Sequence, residues 1–341
     1  MSQPLHPKEL CQPSVPILDV RSPTEYAAGH VPGAISFPLF TDQERAQVGT
    51  CYKHQGRNRA VHLGFRIVGP KCADFITQAE TLAPNHRVYL YCWRGGMRSS
   101  AVGWVLEMAG FEVSVVIGGY KAFRRWGAAL LKEPQKMIIL GGMTGTGKTA
   151  ILDELDALGS QILNLEELAN HRGSSYGALG QAPQPTNEQF LNLITAQWSK
   201  LQRDQPVWIE AESKRIGTCR IPEELFQQMQ TAPVVEIQKS RPERLQRLVQ
   251  DYGEFSPQDL VAATERIRKR LGGARTQTAI NLIQAGKLTE ATDLILQYYD
   301  KAYQHDLEQR STSHHSVDLT DCLPLESARK LQAIAQQILL W

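Results

Sequence analysis

One glycine-rich segment, Gly142–Thr149, constrains the fold of this chain more than any other feature. It reads Gly-Met-Thr-Gly-Thr-Gly-Lys-Thr and fits the pattern G-x-x-x-x-G-K-[ST] in full. The apolar run Met137–Leu140 precedes it and helical spacing from Lys148 to Leu158 follows, which is the strand–loop–helix order that the pattern requires. The segment therefore predicts an α/β domain whose loop amides and lysine surround a di- or triphosphate. The candidate diphosphate-binding residues are Gly142, Thr144, Gly145, Thr146, Gly147, Lys148 and Thr149.

Two acidic residues come where a second partner of a phosphate-bound magnesium ion usually lies. Glu210 and Glu212 follow the apolar segment Val207–Ile209, which we predict to be a strand of the same sheet. Together with the hydroxyl of Thr149 they are candidate Mg²⁺ ligands, since Mg²⁺ prefers oxygen donors. The alternative is that both are solvated carboxylates at a strand end. No structural metal site is expected, because the six cysteines are scattered and form no CxxC pair.

A second loop carries a cysteine with unusual neighbours. Cys92 ends the apolar segment Arg87–Tyr91 and precedes helical spacing from Ser99 to Ala109. A thiol in this position faces backbone N–H groups and the positive end of a helix dipole, which favour the nucleophilic thiolate. The two glycines of the loop allow it to curl around the sulfur, and its two arginines add positive charge. Cys92 is therefore the candidate catalytic residue, with the loop residues Trp93, Arg94, Gly95, Gly96, Met97, Arg98 and Ser99 around it.

The remaining pattern predicts two α/β domains, because strands alternate with helices in both halves of the chain. Apolar runs predict the strands Val15–Val20, Ala34–Phe37, Arg87–Tyr91, Val113–Ile117, Met137–Leu140, Val207–Ile209 and Val234–Ile237. From Ser256 onward the spacing is mostly helical. The predicted organisation is a parallel-sheet domain at 1–126, a linker at 127–136, a phosphate-loop α/β domain at 137–255 and its helical extension at 256–341.

Composition narrows the class of protein. Of the 341 residues, 42% are hydrophobic, which is enough for more than one core. No apolar run is long enough to cross a membrane, and the N-terminal segment lacks the features of a secretory signal. The scattered cysteines fit a reducing compartment, and with no membrane segment we expect a cytoplasmic location. Residues 1–136 carry 16 Lys and Arg against 10 Asp and Glu, so a basic first domain is predicted, although this excess alone is weak evidence for nucleic acid.

Residues 14–126 resemble the rhodanese family. The resemblance rests on the Cys92 loop together with the segments Leu18–Tyr26, Gly29–Ala34 and Gly118–Phe123. It implies a rhodanese-like parallel-sheet domain in which the loop cysteine carries a persulfide. The chain departs from the family in one respect, because Arg98 lies six residues after the cysteine instead of five. The longer spacing is that of cysteine-dependent phosphatases, which normally have a histidine where this chain has Tyr91.

Nearly the whole chain, through at least residue 255, resembles the tRNA 2-selenouridine synthase family. A rhodanese-like domain followed by a phosphate-loop domain is a narrow combination, and the segments Cys92–Ser99, Leu168–Ser175 and Trp208–Ser213 strengthen the resemblance. It implies conversion of wobble 2-thiouridine in tRNA to 2-selenouridine, by S-geranylation from geranyl diphosphate and then selenium transfer from selenophosphate through Cys92. It further implies tRNA and a selenophosphate-producing enzyme as partners, and Mg²⁺ as a candidate cofactor, with no tightly bound prosthetic group.

Several polar and basic residues are candidates for contact with the RNA. His171 and Arg172 lie in the polar segment 166–175, which suits a substrate loop, although an exposed helix end would have the same composition. Basic side chains occur in two short stretches, and such residues bind phosphates. The candidate tRNA-binding residues are Lys53, Arg57, Arg59 and Arg66 in the first stretch and Arg266, Arg268, Lys269 and Arg270 in the second.

Three other functions remain open from the sequence. The first is a sulfurtransferase that thiolates tRNA. The second is a Cys-x5-Arg phosphatase fused to a kinase-like domain, which the position of Arg98 suggests. The third is a binding module for tRNA or nucleotide in which the thiol has no catalytic role.

Overall fold

The computed structural model describes residues 2–308 and 312–338. The chain divides into two compact units, one comprising 1–131 and 188–200 and the other comprising 132–187 and 201–341. The elements up to Leu130 are β1 (Gln3–Leu5), β2 (Ile17–Asp19), α1 (Pro23–Ala28), β3 (Ile35–Ser36), α2 (Asp42–Val68), α3 (Cys72–Leu82), β4 (Arg87–Tyr91), α4 (Met97–Met108), β5 (Glu112–Val116) and α5 (Gly119–Leu130). Short 3₁₀ helices span Pro7–Cys11 and Gly69–Lys71.

A second series of elements follows. It consists of β6 (Met137–Gly142), α6 (Lys148–Ala157), β7 (Gln161–Leu163), α7 (Leu165–Leu168), α8 (Asn187–Trp198), β8 (Val207–Glu210), β9 (Arg215–Ile216), β10 (Cys219–Arg220), α9 (Glu223–Thr231), β11 (Val234–Gln238), α10 (Arg241–Tyr252), α11 (Pro257–Arg266), α12 (Arg268–Leu271), α13 (Gly273–Gln284), α14 (Leu288–Glu308), β12 (His314–Asp318) and α15 (Pro324–Ile338). Among the helices of the described residues, none combines the length and the apolar character needed to span a bilayer.

The first unit is built on a five-stranded parallel sheet with the order β1-β5-β4-β2-β3. Crossover helices cover the faces of such a sheet, so its central strands are apolar on both sides. Leu18 and Leu90 face one core, whereas Ile17 and Tyr91 face the other. The carboxyl end of β4 therefore emerges from the middle of the sheet, and Cys92 follows it directly.

The segment after β2 shows how the sequence fixes the local structure. Ser22 and Glu25 form a reciprocal capping box at the start of α1, and Pro23 occupies its first turn. Beneath them Arg21, which is fully buried, donates to both carboxylate oxygens of Asp19. The Tyr91 hydroxyl donates to the same carboxylate at 2.7 Å. The buried charges are thus paired and hydrogen-bonded, which is what makes their burial tolerable.

The second unit contains a parallel sheet with the order β12-β11-β6-β8-β7. All six residues of β6 are buried, as expected for a central parallel strand. Leu140 of β6 is paired in register with Glu210 of β8. The phosphate-loop segment and the acidic segment therefore leave the sheet side by side at its carboxyl edge, where ligands bind in open α/β sheets.

The buried Arg244 links the phosphate loop to the helical extension by hydrogen bonds to both. Arg244 of α10 is 4% exposed and forms two hydrogen bonds of 2.7 Å with the carboxylate of Asp300 on α14. The same guanidinium donates to the carbonyl oxygen of Thr144 at 3.2 Å. Gly145 lies so close to Arg244 that a Cβ there would be 2.8 Å from the arginine carbonyl oxygen. The loop conformation consequently depends on the helices that follow it.

The predicted fold class is confirmed, as an N-terminal rhodanese-like parallel-sheet domain and a C-terminal phosphate-loop α/β domain with a helical extension. The predicted strand Arg87–Tyr91 has those same bounds. The sequence does not predict β1, β7 and β12, because β1 and β7 have only three residues each and β12 is mostly polar. Beyond Ser256 the described chain is helical apart from β12 at the edge of the sheet.

The segment predicted as a linker, 127–136, is partly helical. Helix α5 continues through Gly127 to Leu130, although glycine usually weakens a helix. Close packing accounts for this glycine, since a Cβ at Gly127 would lie 2.5 Å from the Thr195 hydroxyl on α8. A break in the apolar pattern at a glycine thus marks close approach of two helices and not the end of one.

Helix α8 packs in the first unit although the sequence places it within the range 137–255. Glu188 accepts a hydrogen bond of 2.8 Å from the Tyr120 hydroxyl. The amide of Asn192 donates to the same hydroxyl at 2.7 Å, and Arg124 donates to the Glu188 carbonyl oxygen at 2.9 Å. The first unit is therefore completed by a segment that comes after the phosphate loop in the chain.

Candidate active sites

The sulfur of Cys92 lies in a small nest of hydrogen-bond donors at the start of α4. The residue is 3% exposed, and its Sγ accepts from the Gly96 amide at 3.3 Å. The hydroxyl of Ser99 lies 3.3 Å from the sulfur and 3.0 Å from the Gly96 carbonyl oxygen. One hydroxyl proton serves these two acceptors, so it turns to the sulfur when the thiolate forms.

This environment lowers the pKa of the Cys92 thiol. Burial acts in the opposite direction, but hydrogen bonds from the Ser99 hydroxyl and from the amides of Ser99, Gly96 and Arg94 outweigh it. For Cys11 and Cys219 burial is the leading effect and raises the pKa. Cys92 thus lies in a loop between a strand and a helix and has a lowered pKa, as a reactive thiol requires.

Helix α5 holds the cysteine loop in place. The amides of Tyr120 and Lys121 donate to the carbonyl oxygens of Cys92 and Trp93 at 2.9 and 3.0 Å. Gly119 has φ of 60°, and a Cβ there would lie 2.3 Å from the Cys92 carbonyl oxygen. The Gly118–Phe123 segment, which carries part of the rhodanese resemblance, therefore holds the cysteine loop against the start of α5.

The arginine at the unusual spacing is engaged by a carboxylate. Arg98 forms a 2.6 Å ion pair with Glu25, the residue that also caps α1. Burial opposes ionisation of Glu25, but Arg98 and the other donors around it hold the pKa of that carboxyl below its usual range. A phosphatase needs this guanidinium for the phosphate, so the pairing counts against that function. Arg94, by contrast, is exposed to solvent.

A groove of about 550 Å³ opens beside the loop, between α2 and α4. Its walls include the exposed side chains of Tyr52, Phe65 and Trp104, with Met97 at the end nearest the cysteine loop. Arg57 also lines it, and its Nη2 lies 3.8 Å from the Met97 sulfur. This part of the first unit thus offers aromatic faces and a cation together, a combination that suits unstacked RNA bases.

Three of the four predicted basic residues of the first stretch line two different concavities. Helix α2 is interrupted at Gly56, which has φ of 83°. Arg57 lines the groove beside the cysteine loop, whereas Arg59 and Arg66 line a separate concavity that Cys51 also borders. Lys53 is exposed and lines neither of them.

The phosphate loop has the conformation that its glycines predict. Gly142, Gly145 and Gly147 have φ of 154°, 86° and 84°, so side chains there would strain the backbone. Lys148 Nζ donates to the Gly142 carbonyl oxygen at 3.0 Å, and the Thr146 hydroxyl donates to the Met143 carbonyl oxygen at 2.8 Å. The loop borders a polar concavity of about 410 Å³ in the second unit.

Three carboxylates converge beside this loop. Glu166, Glu210 and Glu212 each bring an oxygen into a group whose atoms all lie within 4.8 Å of one another. Glu210 is fully buried, and its Oε1 accepts from the Thr149 hydroxyl at 3.1 Å while its Oε2 has no hydrogen-bond partner. The predicted trio of Thr149, Glu210 and Glu212 is therefore brought together, and its unsatisfied oxygen and hard donors fit a divalent cation such as Mg²⁺.

Sequence reasoning missed Glu166 as a member of the cluster. Its position follows from β7, which pairs with β8 and ends just before it at the same sheet edge. The feature of the sequence that could have indicated it is the pair of glutamates, Glu166 and Glu167, that begins the polar segment 166–175. The sequence analysis interprets that segment only as a substrate loop. Gly173 closes over the cluster, since a Cβ there would lie 2.5 Å from Glu166 Oε1.

Crowding raises the pKa of all three carboxyls. Burial is the leading cause, neighbouring carboxylates add to it, and Lys148 acts in the opposite direction. The resulting pKa values are about 8 for Glu166, about 8 for Glu210 and about 7 for Glu212. The cluster therefore holds protons near neutral pH unless a cation displaces them.

The candidate substrate loop contributes one of its two predicted residues to the phosphate concavity. Arg172 lines that concavity. His171 is 9% exposed and does not line it, and burial, with the charge of Arg266 adding to the effect, lowers the pKa of its imidazole. Of the two residues, therefore, only the cation Arg172 borders the phosphate concavity.

The second basic stretch is partly used within the protein. Arg266 donates to the Ser175 carbonyl oxygen at 2.6 Å, which fixes the end of the substrate loop. Arg268 forms a 2.5 Å ion pair with Glu265. Lys269 and Arg270 are exposed on the surface. Of this stretch, therefore, Lys269 and Arg270 are the better candidates for contact with a polyanion.

Replacing Ser99 tests the sulfur nest. In Ser99→Ala the pKa of Cys92 rises, because the sulfur loses a hydrogen bond that favours the thiolate. We expect alkylation by iodoacetamide, followed by mass spectrometry of the Cys92 peptide, to slow at pH 7 and to recover at high pH. Ser100→Ala, which removes a hydroxyl bonded to the Gly96 carbonyl oxygen but not to sulfur, is the control. An unchanged pH profile in Ser99→Ala would contradict the assignment.

Replacing Glu210 tests the carboxylate cluster. The folded protein keeps the proton of Glu210 up to about pH 8, whereas the ordinary value of 4.5 applies on unfolding. Wild-type stability therefore falls as pH rises between these values, and Glu210→Gln avoids that loss. In EDTA we expect the variant to be more stable to urea by on the order of a few kcal/mol at pH 9 and equal at pH 4. Adding Mg²⁺ at pH 9 should restore the stability of the wild type and leave that of the variant unchanged. A variant that is less stable than the wild type at both pH values would refute the assignment.

The comparisons with known proteins match both halves of the chain. A family model described as the tRNA 2-selenouridine synthase AAA domain matches residues 135–321, and one described as the rhodanese-like domain matches residues 6–125. A tRNA 2-selenouridine synthase of Pseudomonas syringae pv. syringae (strain B728a) is 36% identical over 334 residues, which is 87% of this chain and 90% of that protein.

Two further relatives extend the match. A tRNA 2-selenouridine synthase of Bordetella bronchiseptica (strain ATCC BAA-588 / NCTC 13252 / RB50) is 37% identical, over 87% of this chain and 89% of that protein. Another, from Pseudomonas putida (strain GB-1), is 36% identical over 96% of this chain and 97% of that protein. The identities hold across both units and nearly the full length of each relative, so the chain belongs to the tRNA 2-selenouridine synthase family.

Proposed function

We propose that this protein converts 2-thiouridine at the wobble position of tRNA to 2-selenouridine in two steps. The observation that carries the proposal is the presence, in one chain, of a cysteine whose pKa is lowered by a donor nest and of a phosphate loop beside a carboxylate cluster. The names of the relatives support a uridine modification on tRNA. The two-step chemistry is our assignment.

The first step is S-geranylation from geranyl diphosphate. The thiocarbonyl sulfur attacks C1 of the donor, the C1–O bond breaks, diphosphate leaves with the electron pair, and the N3 proton of the base is released. Amides of the loop 142–149 and Lys148 bind the diphosphate and stabilise the charge that develops on it. Mg²⁺, if bound by Thr149, Glu210 and Glu212 with Glu166, would neutralise the same charge.

The second step replaces the S-geranyl group with selenium from selenophosphate, at Cys92. A C2–Se bond forms, the C2–S bond breaks and geranyl thiol leaves, while hydrolysis of the P–Se bond releases phosphate. The donors around Cys92 favour an anion at this position, either the thiolate itself or a selenophosphate anion held beside it, and no sulfur–selenium bond has to form. The alkylated sulfur is a better leaving group than the unmodified thiocarbonyl, which is why geranylation comes first.

Nucleoside mass spectrometry with single-residue variants tests the two steps. We expect Lys148→Ala to form no S-geranyl product from thiolated tRNA, because the diphosphate loses its main cation, yet to convert tRNA that already carries S-geranyl uridine. Cys92→Ala should show the reverse, with S-geranyl uridine accumulating and selenouridine absent. Cys72→Ala, a half-buried thiol of the same unit, is the control.

The outcomes separate the competing functions. Selenouridine formed by Cys92→Ala would refute the role of the cysteine. Thiolation of unmodified tRNA would favour a sulfurtransferase instead. Hydrolysis of an aryl phosphate that depends on Cys92 would favour the phosphatase, which the Arg98–Glu25 ion pair disfavours.

We further propose that the tRNA binds the basic helix α2 of the first unit. Arg57 and Arg59 are both exposed, and Arg57 lines the groove beside the cysteine loop. Each phosphate contact that is lost should reduce the slope of log K against log [salt] by roughly 0.7 to 0.9. For Arg57→Ala/Arg59→Ala we therefore expect weaker binding at low salt and a slope shallower by about 1.5 in a fluorescence titration. Arg87→Ala, whose arginine is exposed but paired with Glu112, is the control, and an unchanged slope in the double variant would sink the assignment.

A further inference from the structure

An apolar pocket lies beside the phosphate loop in the second unit, among helices α10, α11, α13 and α14. Its lining includes aliphatic side chains from each of these helices, namely Leu248, Leu260, Ile283, Leu288, Ala291 and Ile295. Five of the six are less than a tenth exposed, and four of these belong to one hydrophobic cluster, namely Leu260, Ile283, Ala291 and Ile295. The helices therefore surround an apolar cavity in addition to a packed core.

This pocket and the phosphate concavity share their walls. Thr144 of the phosphate loop, Ser174 of the substrate loop and Tyr252 border both spaces, as do Leu248 and Tyr299. A ligand whose phosphates lie on the loop can therefore extend directly into the apolar space. The two cavities together match a molecule with a charged head and a hydrocarbon tail.

The polar groups at the pocket are occupied by the protein. The Tyr176 hydroxyl is 2.6 Å from the Thr264 hydroxyl, and the Tyr299 hydroxyl accepts from the Ser175 amide at 3.1 Å. A nucleoside would need free donors and acceptors for its base and ribose, since burying unpaired polar groups is costly. The walls instead leave aliphatic and aromatic faces, which suit a hydrocarbon.

We infer that this pocket binds the tail of a prenyl diphosphate whose diphosphate lies on the phosphate loop. The inference rests on the proposed function, because that function supplies a prenyl donor for the same loop. The enclosed space is about 60 Å³, which holds only the end of a short chain, so the carbons nearer the diphosphate lie in the shared mouth. A short prenyl tail is therefore favoured over a long one.

Filling the pocket tests the inference. In Ala291→Phe a phenyl ring occupies the space, and calorimetry should show Kd for geranyl diphosphate rising about tenfold, the effect of returning roughly two CH₂ groups to water. The Kd for inorganic diphosphate should stay within about twofold, because the loop contacts are unchanged. Ala262→Phe places the same ring at an exposed position of α11 and should leave both affinities unchanged. Equal affinity of wild type and Ala291→Phe for geranyl diphosphate would overturn the inference.

Widening the pocket gives a readout that misfolding cannot imitate. Ile295→Ala should improve binding of farnesyl diphosphate relative to geranyl diphosphate, and no change in this ratio would overturn the inference even if Ala291→Phe does not fold. The proposed function is judged separately, by S-geranyl uridine formation in the wild type. Wild type that forms this product but binds geranyl diphosphate no tighter than inorganic diphosphate would refute the tail pocket alone.

Discussion

Both sites depend on the same physical constraint, which is the convergence of backbone N–H groups where a parallel strand passes through a tight loop into a helix. The amide dipoles at such a turn favour negative charge. After β4 they surround the sulfur of Cys92, and after β6 they form the cradle that begins at Gly142. The two sheets differ in sequence and in strand order, yet each delivers its reactive loop from a buried strand in the interior of the sheet.

The two loops differ in the charged and polar groups that surround them. At Cys92 the donors are neutral amides and a hydroxyl, and Arg98 of the same loop is paired with Glu25. The thiolate is therefore stabilised by dipoles, which leaves its reactivity little affected by salt. At the phosphate loop three carboxylates converge near Lys148 and keep protons near neutral pH, so a divalent cation that binds there has to displace protons. An anionic donor would then bind together with its counter-ion.

The sequence predicts the fold class and most of the candidate site because the decisive information is local. The phosphate loop and the Cys92 loop are each a short run between an apolar strand and a helix, and both have the predicted form. Glu166 could not be found in this way, since its place depends on the pairing of β7 with β8. The apolar pocket is equally non-local, because side chains from four helices form it. The partnership of Arg98 with Glu25 joins residues far apart in the chain, and no pattern in either segment predicts it.

The packing of α8 has a consequence for how the protein is made. The first unit is not a continuous stretch, because Glu188 and Asn192 supply the groups that satisfy Tyr120. During synthesis the ribosome produces the phosphate loop before it produces α8. The sheet around Cys92 must therefore wait, with its α5 face uncovered, while the beginning of the second unit leaves the exit tunnel. A gene fragment that stops after α5 would encode a rhodanese-like sheet without its last helix, and the exposed aromatic face would be prone to aggregate.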